Sequence, residues 1–198
     1  GIETMDKMTF DAKIRNDYKG QFQFLKAYSY FWLVRMFGAI PMMDKSLGAG
    51  AEAQQPRQEI SKVYAEIIKL LKEAEGNLLT NKDPNFKTGR ISKAGASSLL
   101  AKVYLTIASS SLSGAKITVS GGKPNLPAPE KTTYTKSVVK GYEGFNSAEY
   151  FKLARDKAKE VMDSGEFSLF STYSEVWSIA NRNRGEHIWM LQAINGSN

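Results

Sequence analysis

The 198-residue sequence predicts an all-α fold built of helix hairpins. Three observations carry this. Apolar residues recur at helical spacing in four long segments. Glycine, proline and capping residues mark the breaks between them. One stretch, 112–146, departs from helical composition.

The first helix is expected over 21–37. Phe22, Phe24, Leu25, Tyr28, Phe31, Trp32, Leu33, Val34, Met36 and Phe37 make it apolar nearly all round, so it should be the most buried element. Gly38 stops it and Pro41 prevents its resumption; the residues before 21 can extend the same helix, but their periodicity is weak. Asp44 to Gln58 reads as a loop containing Gly48, Gly50 and Pro56. The second helix is expected over 60–79. Val63, Tyr64, Ile67, Leu70, Leu71 and Ala74 form its stripe, and Lys62, Lys69, Lys72 and Glu73 its wet face, so it should pack on one side. Pro84 and Gly89 mark a polar linker. Ser92 caps a third helix, 93–110, whose Ala94, Gly95, Ala96 and Ser97 permit close helix approach. Asn146 with Glu149 forms a capping box for the fourth helix, 147–164, which Gly165 ends. A helical turn is expected over Tyr173 to Ile179, and His187 to Ala193 reads as extended. Helices joined in this way pack as antiparallel hairpins. Recurring Ala, Gly and Tyr positions in the third and fourth suggest a tetratricopeptide-like pair, although the tetratricopeptide consensus is not matched cleanly. The length suits one domain, 1–198, with 112–146 as a long loop insert.

The insert holds five of the 16 glycines and three of the six prolines. Lys116 to Ser120 and Thr133 to Val138 alternate, which suits a short hairpin. Its flanking helices are complete without it, so it should be a surface excursion, more mobile than the helices. Lys116, Lys123, Lys131, Lys136 and Lys140 stand there against only Glu130 and Glu143.

Composition narrows the chemistry. With no cysteine, thiol catalysis, disulfides and thiolate metal sites are excluded. His187 is the one histidine, which excludes multi-histidine metal sites and most histidine triads. The net charge is +7, but lysines outnumber arginines and are interleaved with acids along the chain. That suits a solvated surface better than a nucleic-acid reader. The most apolar stretch, Phe22 to Phe37, is interrupted by Lys26 and Arg35, so it is too short to span a membrane. The opening residues do not read as a secretion leader, which leaves export open.

The motifs read as structure. Gly48-Ala49-Gly50 lacks a third glycine and a preceding strand. Gly121-Gly122-Lys123 is followed by Pro124, where a phosphate loop needs Ser or Thr. Asp156 and Glu160 share one face of the fourth helix, and Lys152, Lys157 and Lys159 surround them, which reads as a solvated charged face. Glu186-His187 has no third partner. No catalytic residue, metal or cofactor is implied, and the chain is not expected to be an enzyme. Among the aromatics, those of the first helix, Trp177 and Trp189 are expected in the core. Tyr134, Tyr142 and Phe145 lie in the insert, where core packing explains them less well. Tyr134 and Tyr142 are the candidate carbohydrate contacts, since a ring face suits the C–H face of a sugar. The alternative is that both rings pin the insert to the helical body.

Five blocks resemble the SusD/RagB family in order across 21–193. They are Phe24-Leu25-Lys26-Ala27-Tyr28-Ser29-Tyr30-Phe31-Trp32-Leu33-Val34-Arg35-Met36-Phe37-Gly38-Ala39-Ile40-Pro41; Pro56-Arg57 with Val63-Tyr64 and Ile67; Gly89-Arg90-Ile91-Ser92-Lys93-Ala94-Gly95-Ala96; Leu100-Ala101-Lys102-Val103-Tyr104-Leu105; and Ala154, Ala158, Val161, Ser164-Gly165, Phe167-Ser168-Leu169, Tyr173 and Glu186. The resemblance implies tetratricopeptide-like helix pairs in a surface lipoprotein of a Bacteroidetes outer membrane. It implies a non-enzymatic protein that binds an oligosaccharide or polysaccharide and delivers it to a TonB-dependent outer-membrane porin (SusC-like). Family members run to about twice this length or more and carry a lipobox cysteine, so the chain is expected to be a fragment of a longer protein. No matched block is a glycan-contact motif, so no binding residue follows from the resemblance. A protein-interaction scaffold without glycan binding is the rival reading.

Overall fold

The structure, a computed structural model, describes residues 2–43, 54–121 and 130–190. A short helix α1 (Ile2–Met5) precedes four long ones: α2 (Ala12–Phe37), α3 (Ile60–Asn77), α4 (Lys93–Ser111) and α5 (Ser147–Asp163). The strands β1 (Ile40–Pro41) and β2 (Arg57–Gln58) pair antiparallel, joining the two ends of the loop whose residues 44–53 lie outside the described ones. A hairpin of β3 (Lys116–Gly121) and β4 (Glu130–Thr135) stands between α4 and α5 in sequence. Two 3-10 turns follow, Tyr173–Trp177 and Ile179–Asn181. The fold is mostly helical, as expected.

The helices stack in chain order, each antiparallel to the last. Gln23 Nε2 in the middle of α2 donates to Glu73 near the end of α3 (2.7 Å), while Phe31, about two turns further along α2, lies edge-on to Tyr64 near the start of α3. Lys93 N–H, opening α4, donates to Leu79 C=O just past α3. Ser147 Oγ, opening α5, donates to Ala108 C=O near the end of α4 (2.8 Å). The core follows these seams. Phe24, Phe31 and Val34 come from α2, Val63, Tyr64, Ile67 and Leu71 from α3, and Leu100, Val103 and Ile107 from α4.

The first expected helix, α2, does extend before residue 21 and begins at Ala12. Asp11 caps it, its carboxylate accepting from Ile14 N–H (3.0 Å). The periodicity is weak there because polar and small residues do the packing. Asp17 is buried and accepts from Leu79 N–H (3.1 Å). Gly20 lets α3 approach so closely that a Cβ would lie 2.8 Å from Leu78. Nor is α2 the most buried element. One face lies in the core, but Phe22, Leu25, Trp32, Leu33, Met36 and Phe37 are exposed. More residues of α4 are buried, because its small side chains lie between α3 and α5.

A polar junction ties α3, α4 and α5 together. The Glu75 carboxylate accepts from Ser97 Oγ and lies 3.1 Å from Lys157 Nζ, which also meets Glu160 at 2.7 Å. Partial burial works against the Lys157 ammonium, but the two carboxylates outweigh it and hold its pKa above the usual lysine value. A folded-state pKa raised in this way contributes fully at neutral pH and is lost only in strong alkali. Lys157→Ala is expected to cost about 2 kcal/mol, the scale of a hydrogen bond to a charged group. The shift of the urea midpoint measures it, and Glu75→Gln in the same chain should recover part of the loss.

Candidate functional site

Tyr142 and Tyr134 occupy opposite kinds of site, and the structure does not bring them together. Tyr142 is 6% exposed. Its ring packs against Tyr64 and Phe145, with centroids at 5.6 and 5.9 Å, and its hydroxyl meets that of Tyr64 at 2.9 Å. Gly141 permits this approach. Its φ is +91°, and a Cβ there would come within 2.5 Å of Ile60 Cδ1. The expectation of a sugar contact at Tyr142 is therefore corrected, because a ring enclosed by other rings has no face for a ligand. The expectation that all of 112–146 is a surface excursion is corrected with it. Val138, Tyr142 and Phe145 pack on the helical core, and only the hairpin stands clear.

Tyr134 lies on that hairpin and is 59% exposed. β3 runs one residue past the expected Ser120, and β4 begins three residues before the expected Thr133 and ends earlier, at Thr135; residues 122–129 between them lie outside the described ones. The register pairs Ile117 with Tyr134, Thr118 with Thr133, and Val119 with Thr132. Alternation gives the ribbon two faces. One carries Ile117, Val119 and Tyr134, with Lys136 continuing the same row beyond β4. The other carries Lys116, Thr118, Ser120, Lys131 and Thr133, and Thr118 and Thr133 join through their hydroxyls at 2.9 Å. An exposed ring beside two branched apolar side chains is a small stacking platform. Among the described residues Ile117, Val119 and Tyr134 are all exposed.

The remaining sequence candidates are engaged in structure. Both ring nitrogens of His187 lie 3.0 Å from backbone carbonyls, those of Asn181 and Val176, while Glu186 accepts from Phe170 N–H. The pair thus folds the C-terminal segment back on itself. Asp156 is bonded by Lys152 and Arg155, which hold its carboxyl below the usual range. Gly48-Ala49-Gly50 and Gly122-Lys123 lie outside the described residues. An open groove of about 630 Å³ runs between α4 and α5, lined by Lys93, Ser97, Asp156, Lys159, Glu160 and Asp163. A smaller cavity of about 240 Å³ lies between the 80–92 linker and the C-terminal segment, at Phe86, Arg90, Phe167 and Trp189. Among the described residues no cluster of metal-ligating side chains occurs, and no helix is long and apolar enough to cross a membrane.

Two expectations about tryptophan part ways. Trp189 packs on Phe24 and Tyr28 at 5.1 and 5.4 Å, as a core residue should. Trp177 is corrected: it is 70% exposed and forms an edge-to-face pair with the equally exposed Tyr173. The Thr172/Glu175 capping box was a legible signal for this turn, but it says nothing about which side faces water. Residues 187–190 form no strand, and 191–193 lie outside the described residues.

Residues 2–105 match the SusD-like family model, described as starch-binding and associating with the outer membrane. SusD-like protein P2 of Formosa agariphila is 37% identical over 95 residues, 46% of this chain and 18% of its own length. A SusD superfamily protein of Parabacteroides distasonis superposes with a TM-score of 0.69 at 26% identity, covering 96% of this chain and 34% of that one. A laminarin-binding SusD-like protein superposes with a TM-score of 0.66 at 21% identity, over 95% of this chain and 33% of its own. The chain thus spans about a third of the length of these solved relatives and less of the curated one.

Proposed function

The chain belongs to the SusD-like family, and on that premise we propose that it is the glycan-binding component of an outer-membrane uptake system. In this reading residues 1–198 act as one helical unit of a surface lipoprotein. It holds an oligosaccharide or polysaccharide without cleaving it and delivers it to a TonB-dependent porin. The family match along α1 to α4 is the observation that carries the reading. The laminarin-binding relative and the exposed ring of Tyr134 support it.

The mechanism is non-covalent. Tyr134 offers a flat apolar face for stacking and a hydroxyl for the sugar's own hydroxyls, with Ile117 and Val119 extending the platform. Electrophoresis through gels containing single polysaccharides tests it. Retention by at least one glycan is expected, and Tyr134→Ala should weaken it about tenfold, or roughly 1.4 kcal/mol, at unchanged thermal midpoint. Release of reducing ends from any retained polysaccharide would overturn the non-enzymatic reading.

The outer face of α2 is the part of the helical body suited to a protein partner. Trp32, Leu33, Met36 and Phe37 are exposed, and the Arg35 guanidinium lies over the Trp32 ring at 5.2 Å. Aromatic, Met and Arg side chains are those enriched in interface cores. This face is also what favours the rival scaffold reading. Trp32→Glu with Met36→Glu should abolish co-purification of a TonB-dependent transporter from the native outer membrane. Repeated recovery of the unaltered protein without such a transporter would sink the docking.

A further inference from the structure

We infer that the corner formed by Tyr173 and Trp177 is a second stacking site for the glycan, and that the glycan it takes is a neutral polysaccharide; the inference rests on the glycan-binding reading. It starts from how the two rings are held. The turn that carries them is braced from its inner side. The Glu175 carboxylate accepts from Thr172 N–H (3.0 Å), and Asn181 Nδ2 donates to Glu175 C=O (2.9 Å). His187 Nε2 lies 3.0 Å from Val176 C=O. Glu175 and Val176 are accordingly half-buried, while Tyr173, Ser174 and Trp177 face water. The rings meet edge to face, with centroids 5.9 Å apart and planes at 75°. Two planes near a right angle make a corner, where a pyranose can lay its C–H face on one ring and its edge against the other. The backbone beneath is already fixed, and aromatic side chains have few χ angles left to order, so binding there costs little entropy.

The surroundings decide the class of ligand. Trp32 on α2 has the Arg35 guanidinium over its ring, and Tyr18 has that of Arg90. Among the described residues no cation lies over Tyr173 or Trp177. From Leu169 to Asn181 the one charged residue is Glu175, whose carboxylate is committed to Thr172 N–H, and no lysine follows Lys159 in the sequence. A uronate or sulfate would therefore meet no counter-charge on this turn. Ser168, Ser171, Thr172, Ser174 and Ser178 flank the rings in sequence, and their hydroxyls both donate and accept, as those of a sugar do. Leu169 and Ile179, near the two ends of the stretch, are exposed as well. Serine is depleted from protein–protein interfaces, where aromatic, Met and Arg side chains gather. The outer face of α2 has that protein-facing composition. The corner sets its rings among hydroxyls, which suits the face and the rim of a neutral sugar. A contact made without ion pairs is not screened, so retention must be insensitive to salt.

The test uses the whole chain in gels of laminarin, starch and polygalacturonate. The expected result is retention by laminarin or starch that stays constant as salt rises from about 0.05 M to about 0.5 M. Trp177→Ala should weaken that retention about tenfold at unchanged thermal midpoint, whereas Trp177→Phe, which keeps a ring, should retain most of it. Loss in Tyr134→Ala with none in Trp177→Ala would overturn the corner and leave the glycan-binding reading standing. Retention by polygalacturonate alone, falling with salt, would overturn the neutral class. A lowered thermal midpoint in Trp177→Ala would make the ring part of the fold and overturn the site. Retention by none of the three would remove the glycan-binding reading and this inference together.

Discussion

Tyr142→Ala is expected to destabilise the protein by about 3–5 kcal/mol, the usual cost of truncating a buried aromatic ring, while the folded fraction keeps its glycan retention. The ring fills the junction where the insert returns to α3, between Tyr64 and Phe145. Removing it opens a cavity lined by aromatic faces and strips the Tyr64 hydroxyl of its partner. That hydroxyl is firmly neutral, because burial and then the bond to Tyr142 both push its pKa up. It therefore stays a buried dipole with nothing to meet. Tyr142→Phe separates the two contributions. It keeps the ring and deletes only the bond, so about 1–3 kcal/mol should remain, the penalty of an unsatisfied buried group. Urea unfolding measures both through the midpoint, with the slope unchanged if only stability moved. Glycan binding lost in Tyr142→Ala at unchanged stability would return this residue to the binding site. Tyr134→Ala should behave in the opposite way.

The two tyrosines show what the sequence discloses and what it does not. Both lie in one glycine- and proline-rich stretch, and composition treats them alike. The local pattern does differ. Tyr134 sits among threonines in an alternating run, whereas Tyr142 follows Val138, Val139 and Gly141. What separates them is a positive φ at Gly141, which turns the chain onto Ile60, a residue 81 positions earlier. A contact of that range has no local signature. The helix ranges were legible because periodicity and caps are local: Ser92 accepts from Gly95 N–H and Asn146 from Glu149 N–H, as their spacing implied. The start of α2 was not, because the residues that bury there are Asp17 and Gly20, which carry no hydrophobic signal. Its outer face misled for the converse reason. Apolar residues all round a helix predict burial, and here half of them face water.

Phe31→Ala, on the inner face of the same helix, should cost about as much as the loss of Tyr142, roughly 3–5 kcal/mol, with a different local cause. Phe31 is 1% exposed and lies edge-on to Tyr64 across the α2–α3 seam. Arg35, one turn on, holds its guanidinium 5.0 Å from the ring, so truncation removes a cation–π contact along with the burial. Helix propensity favours alanine and returns only a few tenths of a kcal/mol. For a chain of this size each kcal/mol moves the thermal midpoint by about 2–4 °C, so a fall on the order of 6–20 °C is expected. The neighbouring Trp32→Ala is the control. Trp32 lies on the outer face, so its loss should change stability far less than that of Phe31. Equal losses at 31 and 32 would mean that the outer face of α2 is buried in the folded protein. The surface offered above to a protein partner would then be part of the core.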